Sequence, residues 1–301
     1  MTRSDAMAWH GGRVSFGIKT VPQGGATYDA IRRLWREADD LPEIEHAWLW
    51  DHLQPLGLPA DGPCLECWTL LAALAPQTSR LRIGLLVGSV LNHSPAVLAK
   101  MAATLDLISG GRLIVGLGAG WATDEQLAYG VPQVPAGERI DRLAEACRVM
   151  RRLWTEDVVD FDGRFFRLEN AHLEPKPVQR PHPPILIGGA GERRTLRVVA
   201  EHADIWNMPA RDTRGADEFA RLNRVLDEHC AAIGRDPAAI ARSVQLFVDF
   251  DDVTGTRALA ASFIEAGADI VVLNLRPPYE AGMPARLVEE VIGPTGARAH
   301  A

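Results

Sequence analysis

The sequence predicts an α/β fold: one (β/α)8 TIM barrel with a β-hairpin inserted before strand 5. The single domain spans residues 1–301, with the barrel core at 14–292 and a frayed tail at 293–301. Three observations carry this. Short apolar runs and amphipathic stretches alternate eight times along the chain, as repeated βαβ units would. No linker or break in composition interrupts them, which favours one closed barrel over an open doubly wound sheet. The stretch Leu81–Trp121 reads alone as a complete βαβ unit, implying a parallel sheet and a right-handed crossover.

Taken in order, the first strand is Val14–Ile18, and a Pro- and Gly-containing loop leads to a helix capped by Thr27. Its apolar face is Ile31, Leu34 and Ala38. The second strand, Ala47–Trp50, ends in the polar pair Asp51-His52, a position where barrel chemistry gathers. A surface loop over Leu53–Pro63 precedes a helix at Glu66–Ala75, where Glu66 reads as a cap or wall residue. Strand three is Ile83–Val87. Pro95 then opens a helix with Val97, Leu98, Met101, Leu105 and Ile108 at spacings of three and four, and Gly110-Gly111 stop it. Strand four, Leu113–Leu117, breaks into Gly118-Ala119-Gly120-Trp121.

A long loop over residues 122–137 follows, then a helix at Glu138–Trp154; long loops in compact domains are often functional. Two short alternating runs flank Asp162-Gly163 and predict the hairpin. Lying between a helix and the next strand, it belongs at the amino-terminal rim and reads as structural or as an oligomer contact, such as a homodimer would make. Strand five, Ile185–Ile187, runs into Gly188-Gly189-Ala190-Gly191 and a helix at Glu192–Glu201. Strands six to eight are Asp204–Asn207, Val244–Phe250 and Ile270–Leu273, with helices after each and the last at Ala285–Val291.

Composition narrows the function classes. The chain is 47% hydrophobic and 24% charged, with a formal net charge of −7. That suits a soluble globular protein and leaves no basic footprint for nucleic acid. No apolar run reaches the length of a membrane span, and the N-terminus lacks a signal-peptide core, so cytoplasmic residence is the expectation. Four cysteines are too few for a disulfide scaffold. Cys64 and Cys67 form a CxxC, read either as half a zinc site or a redox pair, but nothing completes a metal set.

Gly116-x-Gly118-x-Gly120 has the wrong spacing for a dinucleotide fingerprint and opens no helix. Glycine there would instead let a flat or phosphate-bearing ligand approach the backbone. Gly188–Gly191, joining strand to helix, reads as an anion site or as an ordinary tight turn followed by solvated Arg193 and Arg194. His52 is the leading functional histidine, or else a wall residue. His93 could reach the same mouth, and the other histidines after strand one read as structural. No GxSxG appears, and no lysine stands out at a strand end. With Trp50, Trp121 and Trp206 at the mouth and no nucleophile or metal set, a bound cofactor is left to carry the chemistry.

The block from Leu85 to Trp121, together with Trp50-Asp51-His52, Glu138-Arg139 and Pro181–Asn207, strongly resembles the bacterial luciferase-like flavin and deazaflavin oxidoreductases. The likeness extends over nearly the whole chain and is greatest to the branch that uses coenzyme F-420, a deazaflavin. It implies a (β/α)8 barrel with the ring at the carboxyl ends of the strands. It also implies a bulge at Leu86-Val87, often a non-prolyl cis peptide in that branch, behind the ring. Cofactor contacts map to His52, to Gly118, Ala119, Gly120 and Trp121, and to Gly188, Gly189 and Ala190. A basic substrate contact maps to Arg211. The family's sugar-phosphate dehydrogenases carry a glutamate acid where Trp121 stands, and tryptophan cannot give that proton. The resemblance therefore implies hydride transfer between coenzyme F-420 and a small organic substrate, with His52 in ring orientation or proton transfer and Trp121 as a substrate wall. The alternatives are an FMN-dependent two-component monooxygenase and a non-catalytic flavin-binding protein.

Overall fold

The computed structural model describes residues 13–209 and 215–296. In chain order the strands are β1 (Ser15–Thr20), β2 (His46–Leu49), β3 (Arg82–Leu85), β4 (Gly88–Ser89), β5 (Leu113–Gly118), β6 (Val159–Asp162), β7 (Arg167–Ala171), β8 (Ile185–Gly188), β9 (Ile205–Pro209), β10 (Ala241–Phe247) and β11 (Ile270–Leu275). The helices are α1 (Tyr28–Asp39), α2 (Cys67–Leu74), α3 (Pro95–Ser109), α4 (Thr123–Ala128), α5 (Ala136–Thr155), α6 (Thr195–His202), α7 (Ala216–Ala232), α8 (Val253–Glu265), α9 (Met283–Leu287) and α10 (Gly293–Gly296).

Eight strands close a parallel barrel in the order β1-β2-β3-β5-β8-β9-β10-β11. Closure comes from pairing β11 along β1, Ser15 opposite Ile270 through Thr20 opposite Leu275. β3 meets β5 through Ile83–Leu113 and Gly84–Ile114, and the short β4 continues along β5 at Gly88–Leu117. The fold is thus the expected (β/α)8 barrel, with β6–β7 inserted before its fifth strand.

The two faces of each strand serve two cores. Trp48, Leu86, Ile114, Leu186, Ile205 and Val272 pack together inside the barrel, while a larger apolar cluster fills the space between barrel and helices. Inside, Gly84 makes room for the fully buried Trp48, since a Cβ at 84 would lie 2.8 Å from the indole. This plug fills the barrel's middle, so any opening must lie beyond it. Helix ends follow their local chemistry: Thr27 accepts from Ala30 N at 3.2 Å, Glu66 accepts from Trp68 and Thr69 N, and Gly110 ends α3 at φ 67°.

Several boundaries differ from those expected. The hairpin is real, but Phe161 pairs with Leu168 and Asp162 with Arg167, so the turn is the four residues 163–166 rather than Asp-Gly. The buried Glu145 carboxylate sets it, accepting from the N–H groups of Arg164, Phe165 and Phe166 at 2.7–3.1 Å. The stretch expected as loop contains α4. β10 starts three residues before Val244, at Ala241, and its second residue is the largely buried Arg242, paired with Asp227 at 2.6 Å. α6 begins at Thr195, after a turn, and not at Glu192. Residues Gly293–Gly296 form a helical turn, with buried Thr295 donating to Val291 O at 2.7 Å; only 297–301 of the expected tail lie outside the described residues.

Candidate active site

A cavity of about 500 Å³ opens above the Trp48 plug, at the carboxyl ends of the strands. The barrel's alternation builds it. On four strands the inward residue two positions beyond the interior core becomes wall: Trp50 after Trp48, Gly188 after Leu186, Asn207 after Ile205 and Asn274 after Val272. His52, Trp121, Leu86, Val87, Gly118, Ala119, Gly120, Gly188, Gly189 and Ala190, chosen from separate parts of the sequence, all line this one cavity. Arg211 lies outside the described residues.

The bulge is present. The Leu86–Val87 peptide is cis, between β3 and β4. Its Val87 side chain sits in a socket made of glycine. A Cβ on Gly118 would fall 2.7 Å from one Val87 methyl, and a Cβ on Gly188 would fall 2.9 and 3.2 Å from the two methyls. These glycines thus make room for Val87 itself, which corrects the expectation that they chiefly admit a ligand. Gly189 is also committed: its N–H donates to Asn207 O at 3.1 Å and its carbonyl accepts from Trp206 Nε1 at 2.7 Å. That N–H is not free for an anion, and Arg194 turns away to Asp141 at 2.7 Å.

In the same cavity, His52 Nδ1 lies 2.9 Å from Glu125 Oε2 on α4. An ionised carboxylate only accepts, so Nδ1 carries the proton and Nε2 is the nitrogen able to exchange one. The imidazole is edge-on to Trp50 at 5.0 Å and to Trp121 at 5.6 Å. Trp121 is 57% exposed and forms the rim. The sequence does not point to Glu125, because its segment carries no helical periodicity; in the structure Glu125 and Gln126 are the buried pair of α4.

Asp51, beside His52, is a fastener. Its carboxylate accepts from Ser89 N at 2.8 Å, Asn92 Nδ2 at 3.1 Å and Cys67 Sγ at 3.1 Å, tying β2 to β4 and α2. Burial pushes its carboxyl above the usual range, and burial with the neighbouring Asp51 charge pushes the Cys67 thiol well up. Cys64 donates instead to His52 O at 3.4 Å, so the two CxxC sulfurs have different partners.

Lys19 corrects the sequence reading most directly. It lies within β1, one residue past the apolar run, lines the cavity, and is only 6% exposed. Its Nζ donates to Gln245 Oε1 at 2.8 Å, Gln245 Nε2 to Asn207 Oδ1 at 3.2 Å, and Asn207 Nδ2 to Ser243 Oγ at 2.9 Å. Burial lowers its pKa to about 7. Trp206 is the opposite case. Expected at the mouth, it faces outward and stacks on Phe219 at 5.4 Å, because Asn207 next to it faces in. His93 is half-buried and does not line the cavity.

Comparison with known proteins agrees with this architecture. The chain is 31% identical over 211 residues to an F-420-dependent glucose-6-phosphate dehydrogenase of Kineococcus radiotolerans, covering 69% of this chain and 60% of that one. It is 32% identical over 186 residues to an FMNH(2)-dependent dimethylsulfone monooxygenase of Pseudomonas putida, covering 60% and 50%. The matched segments thus span about half to three-fifths of the length of these curated relatives. Among solved structures, an F-420-dependent secondary alcohol dehydrogenase superposes with a TM-score of 0.80 at 20% identity, over 94% of this chain and 99% of the other; at that identity the likeness speaks for the fold. No described helix is long and apolar enough to cross a membrane. A family model described as luciferase-like monooxygenase matches residues 12–289, and the chain belongs to that family of oxidoreductases and monooxygenases.

Proposed function

We propose that this protein moves a hydride between coenzyme F-420 and a small organic substrate. The observation that carries the reading is the Val87 bulge held in its socket of Gly118 and Gly188. It presents a fixed apolar seat on one wall of a cavity that also carries polar and aromatic groups, which fits a flat ring with one face covered. A bound deazaflavin would supply two-electron hydride chemistry at a ring carbon. The rest falls to the chain. Leu86 and Val87 back the ring, and Gly120 and Ala119 border it. Gly188, Gly189 and Ala190 shape the adjoining end of β8. His52, its Nδ1 proton held by Glu125, gives or takes a proton through Nε2. Trp121 walls the substrate at the rim and helps exclude water. The carboxylate that reaches this wall from the loop after β5 is Glu125, and His52 already binds it, so Trp121 leaves no free acid for sugar-phosphate oxidation.

Titrating the protein with coenzyme F-420 and with FMN, followed by fluorescence, tests the cofactor. Tighter binding of coenzyme F-420 is expected; tighter binding of FMN would favour the two-component monooxygenase instead. Binding without turnover of any candidate alcohol, ketone or enone would favour a cofactor-binding protein.

A further inference from the structure

Lys19 has no carboxylate partner. Its single hydrogen bond goes to the neutral Gln245, and no ion pair forms with it among the described residues. The charged or titratable groups lining the cavity are Asp51, His52, Glu125 and Arg139. Asp51 is committed to Ser89, Asn92 and Cys67, and Glu125 to His52. At the rim, Arg276 stacks on Phe247, 4.5 Å from its ring. No carboxylate on these elements pairs with a positive charge at Nζ, which has only the face of the Trp50 ring beneath it.

Two further polar atoms near Lys19 are buried with no partner: the indole Nε1 of Trp50 and Oδ1 of Asn274. Both residues line the cavity. Asn274 lies opposite Lys19 in the β1–β11 register, and Lys19 Nζ lies 5.4 Å from the Trp50 ring centre. Trp50, just past β2, and Asn274 on β11 therefore present unpartnered polar atoms on the two sides of Lys19. Buried polar groups are seldom left unpaired, and an uncompensated buried ammonium is costly.

We propose that Lys19 and Trp50 form a subsite for a carboxylate group of the substrate. The ammonium and the indole N–H donate to the two carboxylate oxygens. Because burial lowers the Lys19 pKa to about 7, a bound anion above that pH draws a proton onto the amine. Binding and proton uptake are then coupled. The proposal rests on the cavity being the substrate site, as the proposed function has it. Its test uses no cofactor, so failure to bind coenzyme F-420 and failure here are separate results.

The whole cofactor-free protein is titrated at pH 8 with benzoate and with its neutral isostere benzamide. Tryptophan fluorescence reads affinity, and calorimetry in two buffers of different ionisation enthalpy reads proton uptake. Benzoate should bind about 10-fold or more tighter than benzamide, the loss typical of one charged hydrogen bond, and should take up part of a proton. Lys19→Met should abolish both the preference and the uptake. Trp50→Phe, which removes only the N–H, should weaken benzoate several-fold and keep the uptake. Equal affinities, no binding of either compound, or a benzoate preference that survives in Lys19→Met would each overturn the assignment.

Discussion

Gly188→Ala tests whether the glycines at the cavity serve the bulge. The added Cβ would stand 2.9 and 3.2 Å from the Val87 methyls, against an ordinary contact of about 3.5–4.0 Å. The barrel strand cannot retreat, because Leu186 and Ile187 are held by β9 and β5 on either side. Val87 must therefore move by roughly half an ångström or more, and the space open to it is the cavity. Overpacking of this kind costs about 1–3 kcal/mol. A few degrees of melting temperature should be lost, and affinity for the bound flavin or deazaflavin should fall about 10-fold as its seat shifts. The decisive variant is Gly188→Ala with Val87→Ala, which removes the two overlapping methyls. Melting followed by circular dichroism and cofactor titration by fluorescence should show a positive coupling of about 1 kcal/mol or more, as expected for residues in contact. Strictly additive effects, or a silent Gly188→Ala, would refute the reasoning and return Gly188 to direct ligand contact.

Glu125→Gln keeps the shape beside His52 but removes the charge that fixes its Nδ1 proton. Turnover should fall about 10- to 100-fold with little change in melting temperature, following a charged hydrogen bond of about 1.5–3 kcal/mol, and an unchanged rate would make Glu125 a wall residue. Glu145→Ala strips the acceptor from three N–H groups of the 163–166 turn. It should cost about 1–3 kcal/mol in urea and open the hairpin to limited proteolysis at that turn. For Lys19 the folded pKa is about 7 against 10.5 when unfolded, so the unfolded chain binds the extra proton between those values. Stability should therefore rise with pH from about 7 toward 10, by up to about 1.4 kcal/mol per unit. Lys19→Met should flatten that slope and stabilise the fold at neutral pH, as read by urea unfolding across the window. His46, buried and lowered to about 3 from 6.5, sends stability down as pH falls from about 6 toward 3, and acid titration of the urea midpoint would show it.

The barrel was legible because its strands are buried on both faces and read as unbroken apolar runs, and because Pro95, Thr27 and Gly110 mark helix ends with their own backbone chemistry. The cavity's backbone was legible too, as glycine at the ends of β5 and β8. What escaped lies where one long-range contact outweighs local preference. Glu145 is nineteen residues or more from the N–H groups it binds, so Asp162-Gly163 alone suggests a tighter turn than the one that forms. α4 is a short helix whose Glu125 is buried by pairing with His52, seventy-three residues away. No window of local sequence contains either partner.

The polar wall escaped for a related reason. A strand is recognised by its apolar residues, so the reading stops where they stop, at Ile18, Ile187 or Leu273. In a barrel that plugs its own middle with Trp48 and its neighbours, the site begins at that same boundary, on the next inward residue. Lys19 and Asn274 each stand there, and each looks from sequence like the start of a loop. Strand pairing runs through them all the same: Lys19 is paired to Asn274 on one side and to Trp48 on the other. A polar residue that still holds its place in the ladder is fixed in direction by the pleat, whereas a loop residue is not. Lys19 is therefore aimed into the cavity by the same alternation that aims Ile18 away from it, and its position needs no contact from any ligand to be maintained.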